Sequence, residues 1–366
     1  MRKVIITVVA LLFVAAPVAY GQQEGDWPPT DLSKVATGAA NFLKIPVGGR
    51  ALSLVGGGVA TVNDVTALFW NPAGIASIDR VTIAYNRTEL YAGIKHAFTG
   101  VVMPLGLNTR LGIHWLGLNS GEIETTTIDE PDGTGEFFTV LDMTLGLTLT
   151  QVLTDRFALG ITGKMVQERV HRVQANSFAL DIGSTFNTGL LGTRLGMSLL
   201  NLGGSMKLEG PDLRFTREID NEDEGVTAGL NPYGYLETLE FDLPLVFRLG
   251  LALDVLGGIS TFMANDQNRV TVLFDMDDAV DGVARVGVSM EYAWNETIYG
   301  RLGYRIRSKL GEEMRRYSGV YRELMSFGYG VGLNTVAAGY AIQLDYGMAD
   351  YGDLGTVSQL FLSIGF

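Results

Sequence analysis

LDMTLGLTLT, residues Leu141 to Thr150, sets apolar side chains at Leu141, Met143, Leu145, Leu147 and Leu149, with Asp142, Thr144, Gly146, Thr148 and Thr150 between them. A period of two sends alternate residues to opposite faces of a strand. Ten residues is also the length that crosses a bilayer as a tilted strand. The stretch therefore predicts a strand with one face against hydrocarbon and the other against a polar interior.

The pattern recurs down the chain. Phe157, Leu159, Ile161 and Met165 alternate with Ala158, Gly160, Thr162 and Lys164, and Leu245 to Leu253 alternates with Val246, Arg248, Gly250 and Ala252. Val286 to Trp294 opposes Arg285, Gly287, Ser289 and Glu291, and Tyr340 to Met348 opposes Ala341, Gln343, Asp345 and Gly347. One such strand would suit a soluble sandwich. Here the apolar face stays free of charge over successive segments, and Trp294, Tyr346 and Phe366 place aromatics near strand ends. That is the signature of a transmembrane barrel, apolar outside and polar inside, with aromatic girdles. The sheet must close, because unpaired edge N–H and C=O groups are too costly in hydrocarbon. The expected fold class is all-β: a closed antiparallel transmembrane β-barrel of about 14 strands with an N-terminal plug or hatch segment.

Strands are expected to start near Val81, Ile94, Leu111, Val140, Phe157, Phe178, Leu195, Leu245, Val270, Val286, Ile298, Met325, Val336 and Val357. With both termini periplasmic, long connections should follow odd strands. Leu118 to Phe137, Gly203 to Asp242 and Ser308 to Arg322 do so, while Val152 to Asp155, Asn295 to Thr297 and Asn334-Thr335 make tight turns after even strands. The final LFLSIGF, ending on Phe366, alternates into a C-terminal aromatic.

The first residues, MRKVIITVVALLFVAAPVAYG, combine a basic start, an apolar run and small residues at Ala19 and Gly21. This is the layout of a secretory signal peptide. The expected organisation is a signal peptide over 1–21, an N-terminal plug segment in the periplasm or lumen over 22–80, and an outer-membrane barrel over 81–366. The compartment is the outer membrane of a Gram-negative-type bacterium, with lipid and lipopolysaccharide as its first partners. The chain contains no Cys, which excludes disulfides and a lipoprotein anchor. Net charge is −13. Loss of Arg2 and Lys3 with the leader makes it more negative still, which argues against nucleic acid as a partner. Glycine is abundant, 47 of 366 residues, nearly twice the usual share.

Little chemistry emerges. His96, His114 and His171 are too scattered for a metal site, and His114 should make a hydrogen bond inside the lumen. Asp275 to Gly282 hints at a calcium loop, but Ala279 spoils the ligand spacing and no Glu follows, so a solvated acidic loop is expected. Glu218 to Glu224 reads as an acidic extracellular loop. Gly328, Gly330 and Gly332 are spaced as one face of a strand. No catalytic residues, metal or cofactor are expected, and the protein is read as a non-enzyme. Lumen-facing charges are expected at Asp142, Lys164, Asp181, Arg248, Asp254, Arg285, Glu291, Arg301, Arg305 and Asp345, paired with one another because buried charges need partners.

Residues 22–80 carry no strand pattern. Gly56-Gly57-Gly58 marks a turn, a short helix fits near Asn63 to Trp70, and Asn71-Pro72-Ala73-Gly74 forms a rigid hatch motif. FLKIPVGGRALSLVGGGVATVNDVTALFWNPAGIA, Phe42 to Ala76, resembles the N-terminal signature of the PorV/PorQ family of outer-membrane proteins. That family is in turn similar to FadL-type transporters, whose Asn-Pro-Ala hatch motif matches Asn71, Pro72 and Ala73. The resemblance implies a hatch-bearing barrel with one of two roles. The first is a partner in type IX-like protein secretion that meets secreted proteins or a translocon through its loops. The second is passive transport of hydrophobic small molecules.

Overall fold

The computed structural model describes residues 38–216, 233–257, 262–282, 284–306 and 324–366. The expected signal peptide and the acidic run Glu218 to Glu224 lie outside them. The described residues form one closed barrel of fourteen strands, each antiparallel to the next. The first seven are β1 (Thr82–Glu89), β2 (Lys95–Pro104), β3 (Thr109–Asn119), β4 (Val140–Thr154), β5 (Phe157–Val170), β6 (Val173–Asn187) and β7 (Thr193–Gly203). The rest are β8 (Val246–Leu256), β9 (Asn268–Ala279), β10 (Arg285–Trp294), β11 (Ile298–Ile306), β12 (Phe327–Ala337), β13 (Tyr340–Asp350) and β14 (Thr356–Gly365). β1 pairs with β14 from Thr82↔Gly365 to Glu89↔Ser358, so no edge remains.

The opening stretch behaves as its period requires. On β4, Leu145, Leu147 and Leu149 are 53–55% exposed on the outer wall, while Thr144, Thr148 and Thr150 are at most 1% exposed inside. One end of the barrel carries the connections 120–139, 204–245 and 307–326, and is here termed the long-loop mouth. The other, the short-turn mouth, carries turns such as 155–156 and 295–297. Phe366 donates its N–H to Val81 O at the short-turn mouth.

Two elements differ from expectation. The turn after β12 is not Asn334-Thr335; both residues stay in the ladder, paired with Gln343 and Ile342. The chain reverses at Ala338-Gly339, with φ of 52° and 88°. Two consecutive positive φ angles are what a two-residue hairpin turn needs, and Gly supplies one without strain. Asp275 to Asp278 is not a solvated loop but part of β9. Asp275 is buried inside, and its Oδ1 accepts the Val59 N–H at 3.1 Å.

Residues 38–80 fill the lumen as the plug. The plug enters at the long-loop mouth, where Ala39 N–H donates to Asp242 O at 3.0 Å and Ala40 N–H to Glu168 Oε1 at 2.8 Å. It continues through a 3-10 turn (Asn41–Lys44), a short α-helix α1 (Gly49–Ser53), a second α2 (Ala67–Trp70) and a 3-10 segment (Pro72–Ser77), and reaches β1 at the short-turn mouth.

Candidate functional site

The site is built where the plug meets the wall. Glycines on the inner face let the plug backbone come within van der Waals contact of the strands. Gly303 and Gly328 are register partners, and a methyl group on either would lie 2.7–2.9 Å from the carbonyls of Leu52, Ser53 or Leu54. Gly328, Gly330 and Gly332 thus occupy one face, as their spacing indicates, and the first two form a smooth bed for α1. On the opposite wall, Gly160 and Gly183 lie against Pro72.

The hatch motif is held by its own amide. Asn71 is extended (φ −159°, ψ 104°), and its Oδ1 accepts the Ala73 N–H, capping the segment that Pro72 begins. Its Nδ2 donates to Val59 O at 3.1 Å and to Ser184 O of β6 at 3.0 Å. Thr150 and Ser198 donate to the carbonyls of Pro72 and Trp70. Every polar atom of the Asn71 side chain is therefore spent on positioning.

Charge concentrates on the inner face of β8–β13. Arg50 of α1 donates to Glu291 of β10 at 2.8 Å, and Arg301 of β11 reaches the same carboxylate at 2.8 Å and Asp345 of β13. Arg269 approaches Glu291 at 3.4 Å. Asp254 accepts from Arg194 at 2.6 Å and Thr271 at 2.7 Å. Arg305 donates to Val55 O of the plug at 2.7 Å. Among the described residues Arg248 has no carboxylate within ion-pair distance, and it stacks its guanidinium over the Trp70 ring at 4.2 Å. Lys164 and Asp181 pair at 2.8 Å on β5 and β6, with Asn201 completing the cluster. Asp142 and Arg285 are only partly buried, Arg285 lying 3.9 Å from Asp277. Arg50, Arg194, Arg269 and Asp275 escaped the sequence reading. Arg50 sits in a segment without periodicity, and Asp275 was hidden in an acidic run.

The other side of the lumen carries fewer charges, and beside the Lys164–Asp181 pair it holds an extended apolar seam. One continuous cluster runs from Met206 and Leu243 at the long-loop mouth, through Leu43, Leu68 and Leu116, to Ile78 and Val102 at the short-turn mouth. Its wall residues come mostly from β1–β7. At the long-loop end it opens into a pocket of about 240 Å³ lined by Ala39, Asn41, Ala175, Met206, Leu208 and Phe241, with Glu168 at its edge. Deeper lies a small cavity of about 10 Å³ bordered on its apolar side by Leu43, Leu68 and Leu116 and on its polar side by His114, Thr144 and the Lys164–Asp181–Asn201 cluster. His114 faces this lumen cavity as its position on β3 predicts. Its Nδ1, however, finds no hydrogen-bond partner among the described residues. At the short-turn mouth, a vestibule of about 450 Å³ lies among Asp64, Asp79, Arg80, Glu296 and Gln343. The hydrogen bond from Arg269 holds the Glu296 carboxyl below its usual range.

No protein-family model matches the chain, and no curated protein matches it. Solved structures do. The CymD monoaromatic hydrocarbon channel superposes with a TM-score of 0.53 at 11% identity, covering 87% of this chain and 97% of that one. The Pseudomonas putida toluene transporter TodX gives 0.51 at 12% identity, covering 87% and 96%. A Pseudomonas aeruginosa FadL homologue gives 0.48 at 13% identity, covering 88% and 98%. At these identities the likeness shows the fold alone: the chain shares the barrel architecture of the CymD and TodX channels.

Proposed function

We propose that this protein is a non-enzymatic outer-membrane channel that passes hydrophobic small molecules passively, gated by its plug. The observation that carries the reading is the apolar seam along β1–β7, continuous from a mouth pocket to the opposite end of the lumen. A hydrophobic solute entering at Met206 and Phe241 stays in contact with apolar side chains over the whole path, so it never faces the charged wall of β8–β13. The plug closes that path at rest, and passage requires its local displacement. The Arg50–Glu291 contact and the glycine bed anchor α1 on the charged side, which leaves the Asn41–Lys44 turn as the movable part. The matched structures include a monoaromatic hydrocarbon channel and a toluene transporter, which fits the same reading.

Membership of the PorV/PorQ family and a role in type IX-like secretion, the leading expectation from the sequence, rest on the Phe42 to Ala76 signature and the three long loops, and the matched structures lend that role no support. Uptake decides between the two readings. Cells carrying the gene should take up labelled toluene faster than cells lacking it, and the difference should saturate. Equal entry rates, with secreted proteins co-purifying on the barrel, would overturn the transport reading.

A further inference from the structure

Two of the side chains that border the small inner cavity carry a polar atom with no hydrogen-bond partner among the described residues. His114 on β3 is 4% exposed and Thr144 on β4 is 1% exposed, and both border the small inner cavity. Neither His114 Nδ1 nor Thr144 Oγ1 makes a hydrogen bond among the described residues. Register places them as diagonal neighbours, since Thr144 pairs with Leu116 and His114 with Gly146. An unsatisfied buried polar group is costly, and two facing the same cavity point to something that fills it. In the closed state the space of about 10 Å³ is only near the lower limit for a single water molecule.

The neighbouring ions say what the occupant is not. Lys164 is engaged by Asp181 and Asn201, and Asp181 Oδ1 also accepts the Asn201 N–H at 2.6 Å. Among the described residues the cation that lines the cavity, Lys164, is already paired, so a carboxylate there would stand as an unpaired charge, which is strongly disfavoured. A hydroxyl group fits. It donates one hydrogen bond and accepts another, and both a threonine hydroxyl and an imidazole nitrogen can meet it.

Access is blocked by one turn. Asn41 lines the mouth pocket and Leu43 lines the inner cavity, so the Asn41–Lys44 turn touches both spaces. Lys44 pins the turn to Asp281 at 2.6 Å, and Glu168 accepts the preceding Ala40 N–H. Moving Leu43 aside would join the two spaces. The mouth pocket itself, at about 240 Å³, is larger than the roughly 150 Å³ cavity that suffices for benzene.

We infer that His114 and Thr144 form a selectivity subsite for a small hydrophobic molecule bearing one uncharged hydroxyl, a phenol or alcohol rather than a carboxylate or a bare hydrocarbon. The inference rests on the transport reading and names its substrate class. The test is equilibrium dialysis of the purified full-length barrel in detergent against labelled p-cresol, toluene and 4-methylbenzoate. The wild type should bind p-cresol about tenfold more tightly than toluene, and 4-methylbenzoate least. Thr144→Val and His114→Phe should each weaken p-cresol by roughly tenfold, the worth of a lost hydrogen bond. Toluene affinity should hold in both variants, which also reports that the pocket is intact. Leu43→Ala should strengthen p-cresol and toluene alike. Equal binding of p-cresol and toluene, variants that keep the wild-type preference, or tightest binding of 4-methylbenzoate would each overturn the subsite while leaving transport standing. Failure of all three compounds to bind would overturn both.

Discussion

The glycine bed under α1 yields a sharp prediction. At Gly303 an added methyl would lie 2.8 Å from the Leu54 carbonyl carbon and 2.9 Å from Ser53 O; at Gly328 it would lie 2.7 Å from Leu52 O. These neighbours are backbone, so no rotamer change relieves them. The plug must lift or the strands must part. Overpacking of this kind costs about 1–3 kcal/mol. A shift of about 2 kcal/mol raises the population with α1 unseated roughly thirtyfold. Because both positions press on the same turn of α1, Gly303→Ala and Gly328→Ala should combine less than additively. Gly300→Ala is the control, since a methyl there meets nothing within 4 Å. Unseating can be read as trypsin cleavage after Arg50, which is 9% exposed when seated, and as uptake of labelled toluene. Both should rise with Gly303→Ala and stay at the wild-type level with Gly300→Ala. Equal cleavage and uptake in the two variants would refute the idea that close backbone contact seats the plug.

Three further outcomes follow from the same contacts. Glu291→Ala removes the carboxylate shared by Arg50, Arg301 and Arg269, and should cost about 3–5 kcal/mol in thermal unfolding in detergent, because it strands buried cations. An unchanged melting temperature would count against the network. Leu147→Arg puts a charge on the outer wall, where Leu147 is 55% exposed, and should destabilise folding into lipid by about 2–4 kcal/mol. Glu296, at the short-turn mouth, has its folded pKa lowered by the hydrogen bond from Arg269. Its contribution to stability is thus complete above the ordinary glutamate pKa and disappears as pH falls through the lowered value. Glu296→Gln should remove that part of the acid dependence, measured by unfolding across an acid titration.

Much of the architecture was legible because a membrane barrel writes its fold as a period of two. Leu145 and Leu147 against Thr144 and Thr148 fix the two faces without knowledge of the neighbours. Loop parity gathers the long connections at one end. What stayed hidden lacks a period. Arg50 lies in an irregular segment whose partner, Glu291, is far away in sequence, and only the three-dimensional path of the plug joins them. Asp275 was lost because three aspartates in four residues look like a solvated loop, whereas β9 carries Asp275 into the lumen to cap the Val59 N–H. The turn at Ala338-Gly339 was missed because Asn334-Thr335 has the more usual turn composition. The hatch motif was legible as a rigid corner, since Asn and Pro have local preferences. That its amide reaches Ser184 on β6 is a tertiary fact. That Thr144 lacks a hydrogen-bond partner among the described residues could not be found from sequence at all, because any inward threonine of a strand reads alike.

The whole account depends on which side of β4 meets hydrocarbon. The chain has no native Cys, so single substitutions can carry a bimane label without interference. In vesicles with brominated acyl chains, label at Leu145→Cys, Leu147→Cys and Leu149→Cys should be strongly quenched, and label at Thr144→Cys, Thr148→Cys and Thr150→Cys should not. Quenching that runs evenly through Thr144 to Thr150, or is absent throughout, would contradict the barrel and the channel built on it.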